Sequence, residues 1–256
     1  MWHVKCPEIY ILACDCKVIG SWHYSDVCTP YWRFYYAFGE GAKIISGGKT
    51  INLTPERFAL VPPDVPFSSR CHNFSLKQFF VHFTLQGNIE VSQRTVNISP
   101  LPDGLSNLIM KAAICMPDDS ARQIILLQAI IGLGISCLPQ ESYKCPFQGY
   151  SPATRRAIDF MKLHLAANPD NGEIARILNM PRHHFIREFT REVGVPPQTW
   201  LKKTRLDKAC LLLHFSDKTI KEIAAETGYY DRYHFSKTFK AERGMSPVEF
   251  RRKREK

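Results

Sequence analysis

Ten side chains in the carboxy-terminal part of the chain fall into two sets suited to a nucleic-acid polyanion. The first is Arg182, His183, Ile186, Arg187 and Thr190; the second is Arg232, Tyr233, Ser236, Lys237 and Lys240. Arginine and lysine can donate to guanine edges or phosphate oxygens, serine, threonine and tyrosine can bond either, and an exposed isoleucine can pack on a thymine methyl. At about 100° per residue, His183, Arg187 and Thr190 lie nearly opposite the apolar stripe Phe185, Phe189 and Val193, with Arg182 and Ile186 on the flanks. Tyr233, Lys237 and Lys240 stand in the same way to Phe235 and Phe239, flanked by Arg232 and Ser236. A basic helix face is more often ordinary solvated surface than a reader of bases. Here the arrangement occurs twice, and the repeat changes the reading.

The elements that position these side chains also recur. Glu173-Ile174-Ala175 is followed by Phe185, Phe189, Gly194, Pro197 and Trp200; Glu222-Ile223-Ala224 is followed by Phe235, Phe239, Gly244, Pro247 and Phe250. The triplets lie 49 residues apart and every later match 50, so one residue is inserted where Asn179-Met180-Pro181 faces Gly228-Tyr229-Tyr230-Asp231. Helix, tight turn and longer helix, repeated, predict two helix-turn-helix units. The short helices are expected over about 172–178 and 220–227, the longer ones over about 181–193 and 231–243. Gly228, or Asn as second best, can take the left-handed conformation that ends a helix. Pro181 suits a first helical turn and Asp231 an N-cap. A helix over about 197–215, roughly 28 Å long, joins the copies. That length approaches the ~34 Å between successive major-groove faces on one side of B-DNA, although an ordinary core helix needs the same apolar residues.

Charge is distributed accordingly. Of the net +10 of the 256 residues, +9 falls in residues 150–256, with 22 Lys and Arg against 13 Asp and Glu; residues 1–149 carry +1. A field concentrated in this way fits counterion release at phosphates. The last residues, 251–256, read as a solvated basic tail. The chain is long enough for two cores, and Pro139–Gly149, with two prolines and little periodicity, reads as a linker. No apolar run is long enough to span a membrane, the first residues lack a signal-peptide pattern, and nine irregularly spaced cysteines fit reduced thiols in a bacterial cytoplasm.

Between residues 8 and 86 the chain reads as short antiparallel strands, among them 32–38, 50–53, 58–61 and 79–85, punctuated by Gly and Pro, which favours a jelly roll or similar small barrel. A small ligand should enter such a barrel at its mouth. Trp22, His23, Tyr24, Tyr31, Trp32, Arg33 and Tyr35 form an aromatic, hydrogen-bonding set suited to stacking on a sugar ring, although alternation alone would put about half of them in the core. Catalysis is not expected: the histidines are scattered where a metal-dependent barrel would cluster them. Cys14-x-Cys16 is spaced too tightly for the usual structural zinc pair, and neither metal nor cofactor is expected. Residues 105–138 read as two helices, the second starting at Asp118-Asp119-Ser120, with Ile124, Leu127, Gln128 and Ile131 on one face. Its apolar run, which extends to more than one face, suits either a subunit interface or packing on the barrel.

The run Gly228-Tyr229-Tyr230-Asp231-x-x-His234-Phe235-Ser236-x-x-Phe239-Lys240-x-x-x-Gly244-Met245-Ser246-Pro247-x-x-Phe250-Arg251 resembles the DNA-binding domain of AraC/XylS-family transcription regulators. Arg205-Leu206-x-x-Ala209-x-x-Leu212-Leu213 resembles that family's linker helix. More weakly, Gly39-x-Gly41, Ile51-x-Leu53-x-Pro55, Pro62-Pro63 and Phe80-Val81-His82-Phe83 resemble its cupin-like effector domain. The resemblance implies an α+β chain of two domains: a cupin-like barrel over 1–98, dimerisation helices over 99–138, a linker over 139–149 and an all-α domain with two helix-turn-helix units over 150–256. It maps base and phosphate contacts onto His183, Ile186, Arg187, Arg232, Tyr233, Ser236 and Lys237, and effector contacts onto Phe38, Ser69, Gln78 and Phe80, which join Trp22, Tyr24 and Trp32 as candidates. Three positions depart from the family. Pro181 replaces a usual Ser, Ile186 a common polar residue, and Phe38 the Arg of arabinose regulators. The expected function is a cytoplasmic, homodimeric, ligand-responsive regulator that binds double-stranded DNA, takes a sugar or other small molecule, and contacts RNA polymerase if it activates. The alternative is a constitutive or repressing DNA-binding protein whose barrel only dimerises it.

Overall fold

The computed structural model of the chain describes residues 8–20, 22–86, 90–91, 95–114, 120–139, 143–144 and 150–252. Most of the expected linker, Asp118-Asp119, the first seven residues and the end of the basic tail lie outside that set. The chain divides into two compact units, Met1–Cys145 and Pro146–Lys256.

The amino-terminal unit is built on strands β1 (Glu8–Val18), β2 (Tyr24–Val27), β3 (Trp32–Ala37), β4 (Ala42–Ser46), β5 (Lys49–Leu53), β6 (Arg57–Val61), β7 (Phe67–Cys71), β8 (Lys77–Gln86), β9 (Glu90–Val91), β10 (Asn97–Pro100) and β11 (Tyr143–Lys144). Two antiparallel sheets dominate: a five-stranded one in the order β1-β8-β3-β6-β10 and a four-stranded one in the order β2-β7-β4-β5. The β3 strand is buried along its whole length because both its faces are covered. Trp32, Phe34 and Tyr36 join one apolar cluster with helices α1 (Leu105–Ile114) and α2 (Ser120–Ser136). Tyr35 and Ala37 join a second cluster between the sheets, with Trp22, Ile44, Leu53 and Phe67. Helix α2 rests on Leu127, Ile130, Ile131 and Ile135, and a Cβ at Gly134 would lie 3.3 Å from the Phe34 ring and 3.5 Å from the Phe58 ring. The face expected from the sequence is rotated: Ile124 and Gln128 are exposed, because the buried arc centres on 127, 131, 134 and 138.

The carboxy-terminal unit holds α3 (Pro152–Leu163), a 3-10 turn at Leu165–Ala167, α4 (Asn171–Ile177), α5 (Arg182–Val193), α6 (Pro197–Phe215), α7 (Ile220–Glu226), α8 (Arg232–Arg243) and α9 (Pro247–Arg252). Two separate cores form. Ala157, Ile158, Met161, Ile174, Ala175, Phe185, Phe189 and Leu201 make the first. Leu206, Ala209, Cys210, Leu213, Ile223, Ala224, Phe235, Phe239 and Phe250 make the second. One helix, α6, supplies Leu201 to the first and Leu206–Leu213 to the second, so each half of the rod is a wall of a different core. The α3 helix has no counterpart in the sequence reading. It starts at Ser151, whose hydroxyl accepts from the Thr154 N–H, with Pro152 in the first turn.

Candidate nucleic-acid interface

Each short helix opens with the same reciprocal cap. The Asp170 carboxylate accepts from the Gly172 and Glu173 N–H groups while Glu173 accepts from the Asp170 N–H; Thr219 and Glu222 do the same for α7. Those two N–H groups, with Arg182 and Arg176 nearby, hold the Asp170 carboxyl below its ordinary range. Each short helix also closes in one way. Met180 N–H reaches the Ala175 carbonyl and Asn179 N–H the Arg176 carbonyl, as Tyr229 reaches Ala224 and Gly228 reaches Ala225. The pattern leaves Asn179 and Gly228 left-handed at φ 52° and 76°. The inserted residue lies in the turn: residues 178–181 separate the first pair of helices and 227–231 the second.

The longer helices differ at their starts. Asp231 caps α8, accepting from the Tyr233 and His234 N–H groups. Pro181 is not in the first turn of α5 as the sequence suggested. It is the N-cap residue itself, in extended backbone (φ −61°, ψ 139°), and makes no side-chain cap bond. Phe185 and Phe189, like Phe235 and Phe239, face inward with their rings edge-on or tilted at 5.5–5.7 Å. Burial of these stripes forces the opposite faces outward. Arg182, His183, Arg187, Arg232, Tyr233, Lys237 and Lys240 are exposed. Ile186 is half-buried against the first core. The Thr190 hydroxyl donates to the Ile186 carbonyl and that of Ser236 to the Arg232 carbonyl, each at 2.7 Å, so both lie along their own helix. The Arg232 guanidinium sits over the Tyr233 ring and donates to its hydroxyl at 2.8 Å. Arg187 lies 3.0 Å from His184 Nδ1 and 3.4 Å from Glu188. The sequence reading did not single out Tyr230, 97% exposed in the turn ahead of α8. Its signal was an aromatic side chain in a turn with no stripe to join.

The two helix-turn-helix units are fixed to α6 and to each other. Gln198 donates to the Pro169 carbonyl ahead of α4 and to the side chain of Asn171, the first residue of α4, while Lys202 pairs with Glu242 at 2.6 Å and Arg243 with Asp207. At the centre, buried Arg205 donates to the Thr227 carbonyl and, at 2.6 Å, to Asn168, with its guanidinium 4.0 Å from the Tyr229 ring centre. Burial pushes the Arg205 guanidinium down and the Tyr229 phenol up from their ordinary values. A side chain on Gly228 would meet the Ala166 carbonyl oxygen at 2.7 Å, so the second turn touches the backbone that precedes the first unit.

The family model described as a helix-turn-helix domain matches residues 174–253, and 38% identity over 80 residues links the chain to an uncharacterised HTH-type transcriptional regulator of Haemophilus influenzae. In this region the chain is similar to regulators of the AraC/XylS family. A second relative is the HTH-type transcriptional activator RhaS of Escherichia coli, 26% identical over 140 residues, or 55% of this chain and 49% of RhaS. The Haemophilus match covers 31% of this chain and 27% of its relative, so the alignments reach about half or less of the relatives' length. The fold is shared more widely: ToxT of Vibrio cholerae superposes over 96% of this chain and 97% of its own with TM-score 0.53 at 13% identity. These relatives are regulators rather than enzymes. No helix among the described residues is long and apolar enough to cross a membrane.

The expected effector residues divide between the two faces of the five-stranded sheet. Trp22, Tyr24 and Phe80 belong to the cluster between the sheets, and Ser69 and Gln78 are buried on strand positions that face it. Trp32 and Phe38 do not join them. Trp32 stacks on Phe83 at 6.0 Å and Phe38 lies edge-on to Tyr36 at 5.0 Å, both in the helix-side cluster, because alternation along β3 sends even-numbered residues that way. Among the described residues no three His, Cys, Asp or Glu side chains converge as metal ligands.

Proposed function

We propose that the chain is a ligand-responsive transcription regulator that reads double-stranded DNA with α5 and α8 in successive major grooves. The observation that carries this reading is the pair of exposed basic faces, one on each of two cores, held in a fixed relation by α6 and the Arg205 contacts. On this reading Arg187, His183, Lys237 and Tyr233 would reach base edges, and Arg182, Arg232 and Lys240 phosphates, with Tyr230 beside them. The effector is a small molecule taken between the two sheets of the amino-terminal unit; a sugar is the sequence expectation. Exposed Ile124 and Ile125 on α2 suit a homodimer, which would present two sets of readers, and activation would follow from contact with RNA polymerase. Ligand binding would change whether both sets engage together.

Genomic mapping of bound sites, followed by footprinting with and without candidate effectors, tests the reading. Protection of two groove faces one helical turn apart, altered by a small molecule, supports it. A footprint indifferent to every effector leaves the sheet unit as a dimerisation module only, and protection without sequence preference refutes reading by these helices.

A further inference from the structure

The interior between the sheets holds one charge that no described residue of the chain neutralises. Arg33 is only 5% exposed, and each of its contacts is with a neutral group. Its Nε donates to the Thr29 hydroxyl at 3.3 Å, and its two terminal nitrogens donate to the Tyr35 and Tyr31 hydroxyls at 3.0 and 2.8 Å. The Tyr31 and Phe67 rings lie 4.9 and 5.5 Å from the guanidinium carbon. Rings and hydroxyls soften the desolvation of a guanidinium but carry no opposite charge. Three of its five N–H groups are used, leaving two.

A second buried donor lies on the same face. Arg33, Tyr35 and Ala37 on β3 stand opposite His82, Phe80 and Gln78 on β8. Gln78 is 1% exposed, and its Nε2 has no hydrogen-bond partner among the described residues. It is a diagonal neighbour of Tyr35, whose hydroxyl already accepts from Arg33 and so has its own proton to donate. What this interior lacks, among the described residues, is a negatively charged acceptor. The surroundings are aromatic, from Trp22, Tyr35, Phe67 and Phe80.

We infer that the effector is a small organic carboxylate, held through its two oxygens by Arg33, with Tyr35 and Gln78 completing the donor set. The inference rests on the effector reading above and replaces the neutral sugar with an anion. A planar guanidinium suits a carboxylate because two parallel N–H groups can meet its two oxygens. The energetic logic is that of a site kept at some expense to the empty fold. Removing an unpaired buried charge should leave the empty protein as stable or more so, whereas a purely structural Arg33 would be missed at once.

Matched pairs that differ only in charge test this: benzoate against benzamide, and galacturonate against galactose, each followed by thermal unfolding and calorimetric titration of the full chain. The expected result is that one carboxylate raises the midpoint of the amino-terminal unit by several degrees at ~100-fold excess over its Kd, while its neutral partner does not. Arg33→Met should melt at the same or a higher temperature without ligand and bind at least tenfold more weakly; Arg33→Lys should keep part of the affinity. Equal binding of the neutral members overturns the inference, as does an Arg33→Met chain that melts far lower and is rescued by Arg33→Lys with no ligand present. If a neutral member binds and alters the footprint, only the anion assignment falls. If no member binds while the operator footprint stays intact, the anion assignment is overturned and the effector reading fails with it.

Discussion

Replacing Gly228 by alanine separates two costs that a left-handed glycine can carry. Gly194, Gly228 and Gly244 have nearly the same backbone, at φ 83°, 76° and 74°. Any L side chain there costs about 1–2 kcal/mol. At Gly194 and Gly244 an added Cβ meets nothing within 4 Å, so that conformational cost is the whole effect. At Gly228 the same atom would lie 2.7 Å from the Ala166 oxygen, 2.9 Å from the Leu165 oxygen and 3.1 Å from the Ala166 carbonyl carbon. All three are backbone atoms, which cannot swing aside as a side chain can, and forced overpacking of this kind adds about 1–3 kcal/mol. Gly228→Ala should therefore destabilise the helical unit by about 2–5 kcal/mol and the two controls by about 1–2 kcal/mol. Urea unfolding of the full chain, followed by far-UV ellipticity, measures the three variants side by side. A Gly228→Ala value within about 0.5 kcal/mol of Gly244→Ala, the usual scatter of a surface change, would refute the claim that this turn is pressed against the first unit. A folded Gly228→Ala protein should also lose more affinity for a full operator than for an isolated half-site, since the second reader is re-aimed.

Four further outcomes can be checked. Arg187→Ala and Lys237→Ala should each weaken operator binding by about 1–3 kcal/mol where the residue reads a base; equal weakening on random DNA in a gel-shift titration would mark them as phosphate contacts. Asp231→Ala should cost about 0.5–2 kcal/mol in chemical denaturation, because two N–H groups of α8 lose their acceptor. Phe189→Ala and Phe239→Ala should each cost about 3–5 kcal/mol while striking different cores, and hydrogen exchange should show protection lost first in the unit carrying the change. Stability should fall in acid. Asp170, held down by the Glu173 and Gly172 N–H groups, Glu222, by the Thr219 hydroxyl and N–H, and Glu249, by the Ser246 N–H, all titrate below their ordinary values. Their contribution is complete above the ordinary carboxylate range and is lost as pH falls through the lowered values, so Glu222→Gln should flatten the acid limb of a Tm-against-pH curve.

The helical unit was more legible than the sheets because its signals are local. Repeated triplets such as Glu222-Ile223-Ala224, glycines such as Gly194 and Gly244, and phenylalanines four apart each announce an element within a few residues, and the repeat let one copy check the other. Pro181 misled because its ring suits a first turn and an extended N-cap equally, and only ψ distinguishes them. The α3 helix went unread although Ser151-Pro152 is a usable start, since it has no partner in the repeat. Between the sheets the difficulty was different. Trp32–Ala37 is apolar or aromatic at nearly every position because both faces are covered, so alternation could not say that Trp32 turns toward the helices while Arg33 turns between the sheets. Bringing Gln78 near Tyr35 depends on the register between β3 and β8, strands about forty residues apart in sequence. No local pattern carries that information.

Helix α6 has a consequence for the DNA rather than for the protein. It is a continuous rod of 19 residues, walled into a core at each end, and it has no hinge to lengthen or twist. On the proposed mode of binding, one base pair inserted between the two contacted stretches turns the second about 35° around the duplex axis and shifts it along. The rod cannot follow, and neither can the Arg205 joint. Binding sites for this chain should therefore drift readily in sequence while their internal spacing stays fixed, and point deletions in an operator should be more damaging than point substitutions.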